Sequence, residues 1–154
     1  MGFEVSYDGV GYFAASVIAF VSAQSIKYYL QRRSVPKKKA RRKGVNWGQA
    51  FSSGRMPSSH TATVTAFASS IFFVEGFSKL FAVAAVFAYV TVYDSLVSRR
   101  STGEQGAALL KLLKRSPRGK DPLPYVAFGH KPLEVIAGGG LGLLIGLLVA
   151  IFIT

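Results

Sequence analysis

Four mostly apolar segments, separated by loops rich in lysine and arginine, limit what this chain can fold into. They are 9–30, 58–74, 79–97 and 133–154, and each is close to the ~20 residues that cross a bilayer as a helix. One such segment could be a core helix of a soluble protein, but four in 154 residues leave little polar sequence to cover a soluble surface. The sequence therefore predicts an all-α, polytopic membrane bundle of about four transmembrane helices, of which the Ser/Thr-rich 58–74 has the weakest signal.

The whole chain, residues 1–154, is interpreted as a single membrane-embedded domain. The first segment is not expected to be a cleaved signal, because Met1–Val10 carries Glu4 and Asp8 and no basic residue. Ser101–Lys114 predicts a short amphipathic cytoplasmic helix. Gly138, Gly142 and Gly146 recur at four-residue spacing and predict close packing of the last helix against another.

Basic residues predict the orientation. Of the 19 lysines and arginines, 17 fall in the loop between the first and second segments or in that between the third and fourth. The positive-inside rule places both loops in the cytoplasm and both termini outside, in a multi-pass protein of the plasma membrane. The run Arg32–Lys43 favours binding to anionic membrane lipids, and nucleic acid is disfavoured because the run lacks interleaved aromatic residues.

The second segment begins with a polar turn, SGRMPSSHT at 53–61, that predicts a phosphate site. Pro57 suits the first position of a helix, where its missing N–H costs nothing. The amides of Ser58, Ser59 and His60 would then point out of the first turn, where the helix dipole favours an anion. The imidazole of His60 would supply a proton donor.

Other polar residues are predicted at the same cytoplasmic helix ends. Arg99 and Arg100 end the third helix, and Lys27 lies near the end of the first. His130 begins the fourth helix with Glu134 four residues later, a spacing that places both on one helical face. The chain's only two histidines are thus expected in one pocket.

Two of these residues have alternative interpretations. Lys27 could extend to the lipid interface instead of lining the pocket. Asp94 lies about one turn from the arginines, inside the membrane, where a carboxylate is costly and usually paired. It is either a supporting functional residue or the partner of a structural salt bridge to Arg99, Arg100 or Lys27.

These groups suit phosphoryl transfer through a phosphohistidine. One imidazole attacks phosphorus, a carboxylate holds the other ring nitrogen, and a second imidazole protonates the departing oxygen. Basic side chains and helix-start amides stabilise the phosphoryl oxygens. The scheme needs neither a metal nor a cofactor. With no cysteine in the chain, disulfides and thiolate metal sites are excluded.

Three ordered motifs resemble the type-2 phosphatidic acid phosphatases, relatives of the vanadium haloperoxidases. The PSSH at 57–60 resembles their PSGH signature, and an arginine followed later by HKPLE at 130–134 resembles SR…HxxxD. A divergent bacterial and plant branch is a closer match. Its GGMPSSH, YD…RR and GHxPxEV patterns are similar to SGRMPSSH, YDSLVSRR and GHKPLEV here.

The resemblance implies a role for each residue of the predicted site. His130 would be the nucleophile, Glu134 its orienting partner and His60 the general acid. The phosphate would be held by basic and helix-start residues, which are Lys27, Ser58, Ser59, Arg99 and Arg100. Ser59 replaces the family's glycine and Glu134 its aspartate, while Lys27 is the nearest match to an incomplete KxxxxxxRP motif.

The predicted function is a metal-independent lipid phosphatase acting on a phosphomonoester or diphosphate of a phospholipid or polyprenyl lipid at the cytoplasmic leaflet. The alternative is a non-catalytic membrane protein that binds anionic lipid or a partner through the basic loop and the pocket. Since the main family has more spans than this chain, a homodimer that completes the bundle remains open.

Overall fold

A computed structural model describes residues 7–34, 56–115, 126, 129 and 131–154, and confirms the all-α class. Its helices are α1 (Tyr7–Ser34), α2 (Ser59–Glu75), α3 (Lys79–Tyr93), α4 (Arg99–Arg115) and α5 (Pro132–Ile153). A π-helical segment, Asp94–Ser98, joins α3 to α4 without a loop. The amphipathic stretch predicted at 101–114 is helical, but it continues the third helix, because no glycine or proline interrupts residues 79–102.

Three helical stretches are long and apolar enough to cross a membrane by length and composition, namely Gly9–Arg33, Lys79–Leu113 and Pro132–Ile153. The remaining predicted span, α2, has 17 residues. At ~1.5 Å per residue, it is short for a hydrocarbon core about 30 Å thick. It is also the central helix of the bundle, since it contacts α1, α3 and α5 and more than half of its residues are buried.

The glycine stripe of α5 packs directly against α2, as predicted. Gly138, Gly142 and Gly146 are buried, and the atoms nearest to all three belong to α2 or to the residue that caps it. A Cβ atom on Gly142 would lie 2.9 Å from both the amide nitrogen of Ala66 and the Cβ of Thr65. Only a residue without a side chain allows the two backbones to approach this closely.

Alanines form the contact between α1 and α2. Ala15, Ala19 and Ala23 are fully buried at four-residue spacing, and they pack with Ala62 and Ala66 of α2. Because lipid offers little hydrophobic driving force for helix association, close van der Waals contact between small residues holds such interfaces together. The interior of the bundle is therefore built from small side chains.

The turn between α2 and α3 fixes the end of the bundle opposite the predicted site. Gly76 ends α2 with φ 69°, a left-handed conformation that favours glycine. Ser78 then caps α3, its hydroxyl accepting from the Phe81 amide at 3.0 Å. The Tyr12 hydroxyl donates to Glu75 Oε1 at 2.9 Å and ties α1 to the same turn.

Substituting Gly142 tests the contact between α2 and α5. Gly142→Ala places a methyl group against the α2 backbone, and we expect the free energy of unfolding to fall by about 1–3 kcal/mol through overpacking. Gly140→Ala is the matched control, because a Cβ there meets no atom within 4 Å. It should be neutral or stabilising, since alanine is the better helix former. Equal stabilities of the two variants in the same detergent would contradict this packing.

Candidate functional site

A backbone hydrogen bond joins the starts of α2 and α5. The Ser58 amide donates to the Glu134 carbonyl oxygen with an N–O distance of 2.9 Å, and Ser58 is fully buried. Gly138, one turn further along α5, lies against the Ser58 carbonyl and leaves room for it. The PSSH and HKPLE motifs, far apart in the sequence, are therefore in direct contact.

Ser58 has a structural role that the sequence analysis missed, as the N-cap of α2. Its Oγ accepts from the Thr61 amide at 3.4 Å and from the Thr61 hydroxyl at 3.0 Å. The helix thus begins at Ser59, and the prediction that Pro57 is the first helical residue is wrong. Serine satisfies one of the amides left unpaired at a helix start, which favours it as the cap. The prediction that the Ser58 amide is free to bind an anion is also wrong, because this amide donates to the Glu134 carbonyl oxygen.

Glu134 is buried and caps its own helix. Its Oε2 accepts from the Lys131 amide at 3.2 Å, and α5 begins at Pro132 with Lys131 as the N-cap. The prediction that His130 and Glu134 share a helical face stays a prediction, because it depends on residue 130. His130 itself lies outside the described residues.

Lys27 faces Glu134 from α1. Only 4% of Lys27 is exposed, and the lysine interacts electrostatically with the Glu134 carboxylate. The alternative in which Lys27 extends to the lipid interface is therefore wrong. Ala23, Lys27 and Gln31 continue the buried face of α1 at four-residue spacing, which turns the lysine inward. A buried charge in a membrane helix is costly without an opposite charge nearby, and Glu134 of α5 lies within electrostatic range of the lysine.

The π-helical segment holds Asp94 and Arg99 together. The Arg99 amide donates to the Asp94 carbonyl, and Arg99 Nε donates to Asp94 Oδ2 at 2.9 Å. Of the salt-bridge partners predicted for Asp94, Arg99 is the one that the structure shows. Both side chains are about half exposed, so the pair contributes only about 0.2–1 kcal/mol. Such π turns are frequent at functional sites.

The second and third motifs also meet. Gly129 packs on the end of the π-helical segment, where a Cβ atom on it would lie 2.5 Å from the Arg100 amide nitrogen and 2.9 Å from the Arg99 carbonyl carbon. The first position of GHKPLEV thus needs a glycine, because the Arg99–Arg100 backbone approaches it closely. The motif alone did not reveal this requirement. Arg100 pairs with Glu104 on the exposed side of α4, with an N–O distance of 3.1 Å.

Ser59 and His60 form the first turn of α2. Ser59 is 3% exposed, and its carbonyl accepts from the Thr63 hydroxyl at 2.8 Å. His60 follows it and is exposed. Of these two predicted site residues, His60 is therefore the one whose side chain a ligand can reach from outside the bundle.

The described residues therefore link the three motif segments in pairs, with the third motif in contact with both of the others. The end of α1 contributes Lys27, the start of α2 contributes Ser58, and the π-helical segment reaches the site through Gly129. Among the described residues at these helix ends, four basic side chains (Lys27, Arg99, Arg100 and Lys131) outnumber three carboxylates (Asp94, Glu104 and Glu134), a balance that suits anion binding.

Comparisons with known proteins agree with this arrangement. The sequence matches the divergent PAP2 family over residues 10–145, so the chain belongs to that family. It is also similar to a protein of Bacillus subtilis (strain 168), the uncharacterized membrane protein YuiD. The two are 34% identical over 153 residues, which cover 90% of this chain and 92% of the relative. No solved structure matches the chain. It is thus a membrane protein of the divergent PAP2 family.

The N-cap role of Ser58 predicts that its hydroxyl supports the helix and not the anion. Ser58→Ala should lower the free energy of unfolding by about 1 kcal/mol and leave vanadate affinity unchanged. The matched control is Ser78→Ala, which removes the N-cap of α3 at the other end of the bundle and should cost a similar amount. Calorimetry measures the unfolding of both variants and their affinity for vanadate. A tenfold loss of affinity in Ser58→Ala alone would instead mean that the hydroxyl touches the anion.

Proposed function

We propose that this protein is a membrane-embedded lipid phosphatase that works through a phosphohistidine. The observation that carries the proposal is that the third motif contacts both of the others, the first through Ser58 and Glu134 and the second through Gly129 and the Arg99–Arg100 backbone. Membership of the divergent PAP2 family supports it. The substrate is a phosphomonoester or diphosphate of a phospholipid or polyprenyl lipid.

The reaction proceeds in two displacements. A ring nitrogen of His130 attacks the phosphorus, and the bond from phosphorus to the lipid oxygen breaks as protonated His60 gives that oxygen its proton. Water then attacks the phosphohistidine, and neutral His60 accepts the proton from this water. The products are the lipid alcohol and inorganic phosphate, and His130 is regenerated.

Arg99 and Arg100 bind the phosphate in this proposal. In the free protein each is paired with a carboxylate of its own helical stretch, Asp94 and Glu104 respectively. Exposed pairs of this kind contribute about 0.2–1 kcal/mol, so exchanging one for a phosphate costs little. A phosphate offers arginine a stronger, bidentate partner.

Lys27 takes a positioning role instead of the predicted phosphate contact. It is almost fully buried and faces Glu134, so its charge acts on that carboxylate. Glu134 would in turn fix the orientation of His130, the role that the family resemblance implies for it. The lysine thereby links α1 to the reacting residues without touching the substrate.

The orientation of the site follows from the basic loops. With both loops in the cytoplasm, the helix ends that carry the site face the inner leaflet. This orientation favours a lipid phosphate made inside the cell over a polyprenyl diphosphate released at the outer face. A homodimer that completes the bundle stays a prediction.

One observation favours a second candidate, an anion-binding protein without hydrolase activity. The Glu134 carboxylate already accepts from the Lys131 amide and faces Lys27. These contacts compete with the orientation of an imidazole. The protein would then hold an anionic lipid at the same basic helix ends and release no phosphate.

Phosphate release from lipid phosphates separates the two candidates. Protein reconstituted in vesicles containing chelator should hydrolyse the substrate, and vanadate should inhibit it. His130→Ala should abolish turnover, and His60→Ala should lower kcat by about 10²- to 10⁴-fold. Lys111→Ala, an exposed basic residue of α4, is the control and should keep full activity. Turnover that persists in His130→Ala would contradict the mechanism, and vanadate binding without any turnover would favour the second candidate.

A further inference from the structure

An open apolar groove of about 440 Å³ lies between α2, α3 and α5, outside the site described above. It is lined by small, aliphatic and aromatic residues together with two hydroxyls, and no charged side chain is among the described residues that line it. The volume is within the range of roughly 300–1,000 Å³ typical of small-molecule sites. The groove is therefore suited to an apolar group.

The groove extends along α2 from Thr65 to Phe72, a rise of roughly 10 Å. At its far end the ring of Phe72 packs against those of Phe77 and Phe81, with centroid distances of 5.1 Å to each. At its near end Thr65 lies one turn from Thr61, whose hydroxyl contacts the Ser58 cap. The groove thus has an aromatic end and an end directed towards the site.

Two of the three helices that border the groove, α3 and α5, also lead to the basic end of the site. Ala88 of α3 lines the groove six residues before Asp94, and Leu143 of α5 lines it nine residues after Glu134. These intervals correspond to roughly 9 Å and 14 Å along the helices. The π-helical segment, which follows α3, also contacts α5. The groove and the site therefore occupy successive positions along α3 and α5.

The charge pattern around the groove matches an amphiphile with an anionic head. Arg99, Arg100 and Lys131 lie at the basic helix ends, whereas the groove beyond them has an apolar lining. On α3 only Ala84 is buried, so the neighbouring side chains are left to contact lipid. A free phosphate would match the basic end but leave the groove unexplained.

We propose that one hydrocarbon chain of an anionic lipid phosphate occupies this groove while its phosphate lies at the basic helix ends. The proposal rests on the proposed function for the location of the headgroup. It adds that the protein binds part of the lipid tail, so that recognition extends beyond the phosphate into the membrane.

Photochemical labelling tests where the chain lies. The full protein is placed in phosphatidylcholine nanodiscs with a trace of phosphatidic acid that carries a diazirine on one acyl chain, and adducts are mapped by mass spectrometry. We expect adducts on groove residues such as Ala85 and Leu143. Excess unlabelled phosphatidic acid should remove them, and added phosphatidylcholine should not.

A matched pair of variants on α3 sharpens the test. Ala88→Leu fills the groove and should reduce the competed adducts by about tenfold, as expected for overpacking of a binding site. Ala82→Leu adds the same side chain at an exposed position and should leave them unchanged. Unfolding midpoints within a few degrees of each other establish that both variants fold.

Two results would overturn the proposal. The first is labelling spread over the outward residues Val83, Val86 and Val90 without competition, which is the pattern of bulk lipid. The second is disulfide dimerisation of Ala88→Cys in membranes, which would place a second copy in the groove; the chain has no other cysteine. Competed groove labelling without phosphate release would contradict the proposed function alone and leave the lipid site intact.

Discussion

The structure depends on one buried residue, Glu134, through which three helices meet. Its carbonyl accepts the amide at the start of α2, and its carboxylate caps α5 and faces Lys27 of α1. Both charged side chains are almost fully buried, where a charge is costly unless an opposite charge lies nearby. This junction fixes the relative positions of the starts of α2 and α5, which carry the first and third motifs.

Small residues allow that junction to form. Gly138 lets α5 approach the Ser58 carbonyl, and the stripes of glycine on α5 and alanine on α1 keep both helices close to the short central α2. Large apolar side chains lie on the outside, as on the faces of α3 and α5. Small side chains thus fill the inside of the bundle, and large apolar side chains face lipid. This arrangement is expected where van der Waals contact, and not exclusion of water, holds helices together. The apolar groove lies between α2, α3 and α5.

The sequence predicted the helical class, the glycine interface and a salt bridge as one alternative for Asp94, because periodicity and spacing determine these features. It did not predict which polar atoms the fold itself uses. A serine at a helix start can cap the helix or bind an anion, and only the contact with Thr61 shows that Ser58 does the former. Similarly, the resemblance implied an orienting role for Glu134, whereas only the structure shows that its carboxylate also caps α5 at Lys131. The inward orientation of Lys27 was readable from its alignment with Ala15, Ala19 and Ala23, a pattern that the family motif obscured.

A double-mutant cycle on Lys27 and Glu134 tests this account most directly. Lys27→Met and Glu134→Gln each leave one buried charge without its partner, and each should lower the free energy of unfolding by about 3–5 kcal/mol. Combined, they remove both charges, so the double variant should lose at least about 1 kcal/mol less than the sum of the two. Additive losses, within about 0.5 kcal/mol, would show that the two residues do not interact and that Glu134 is not the junction of the helices.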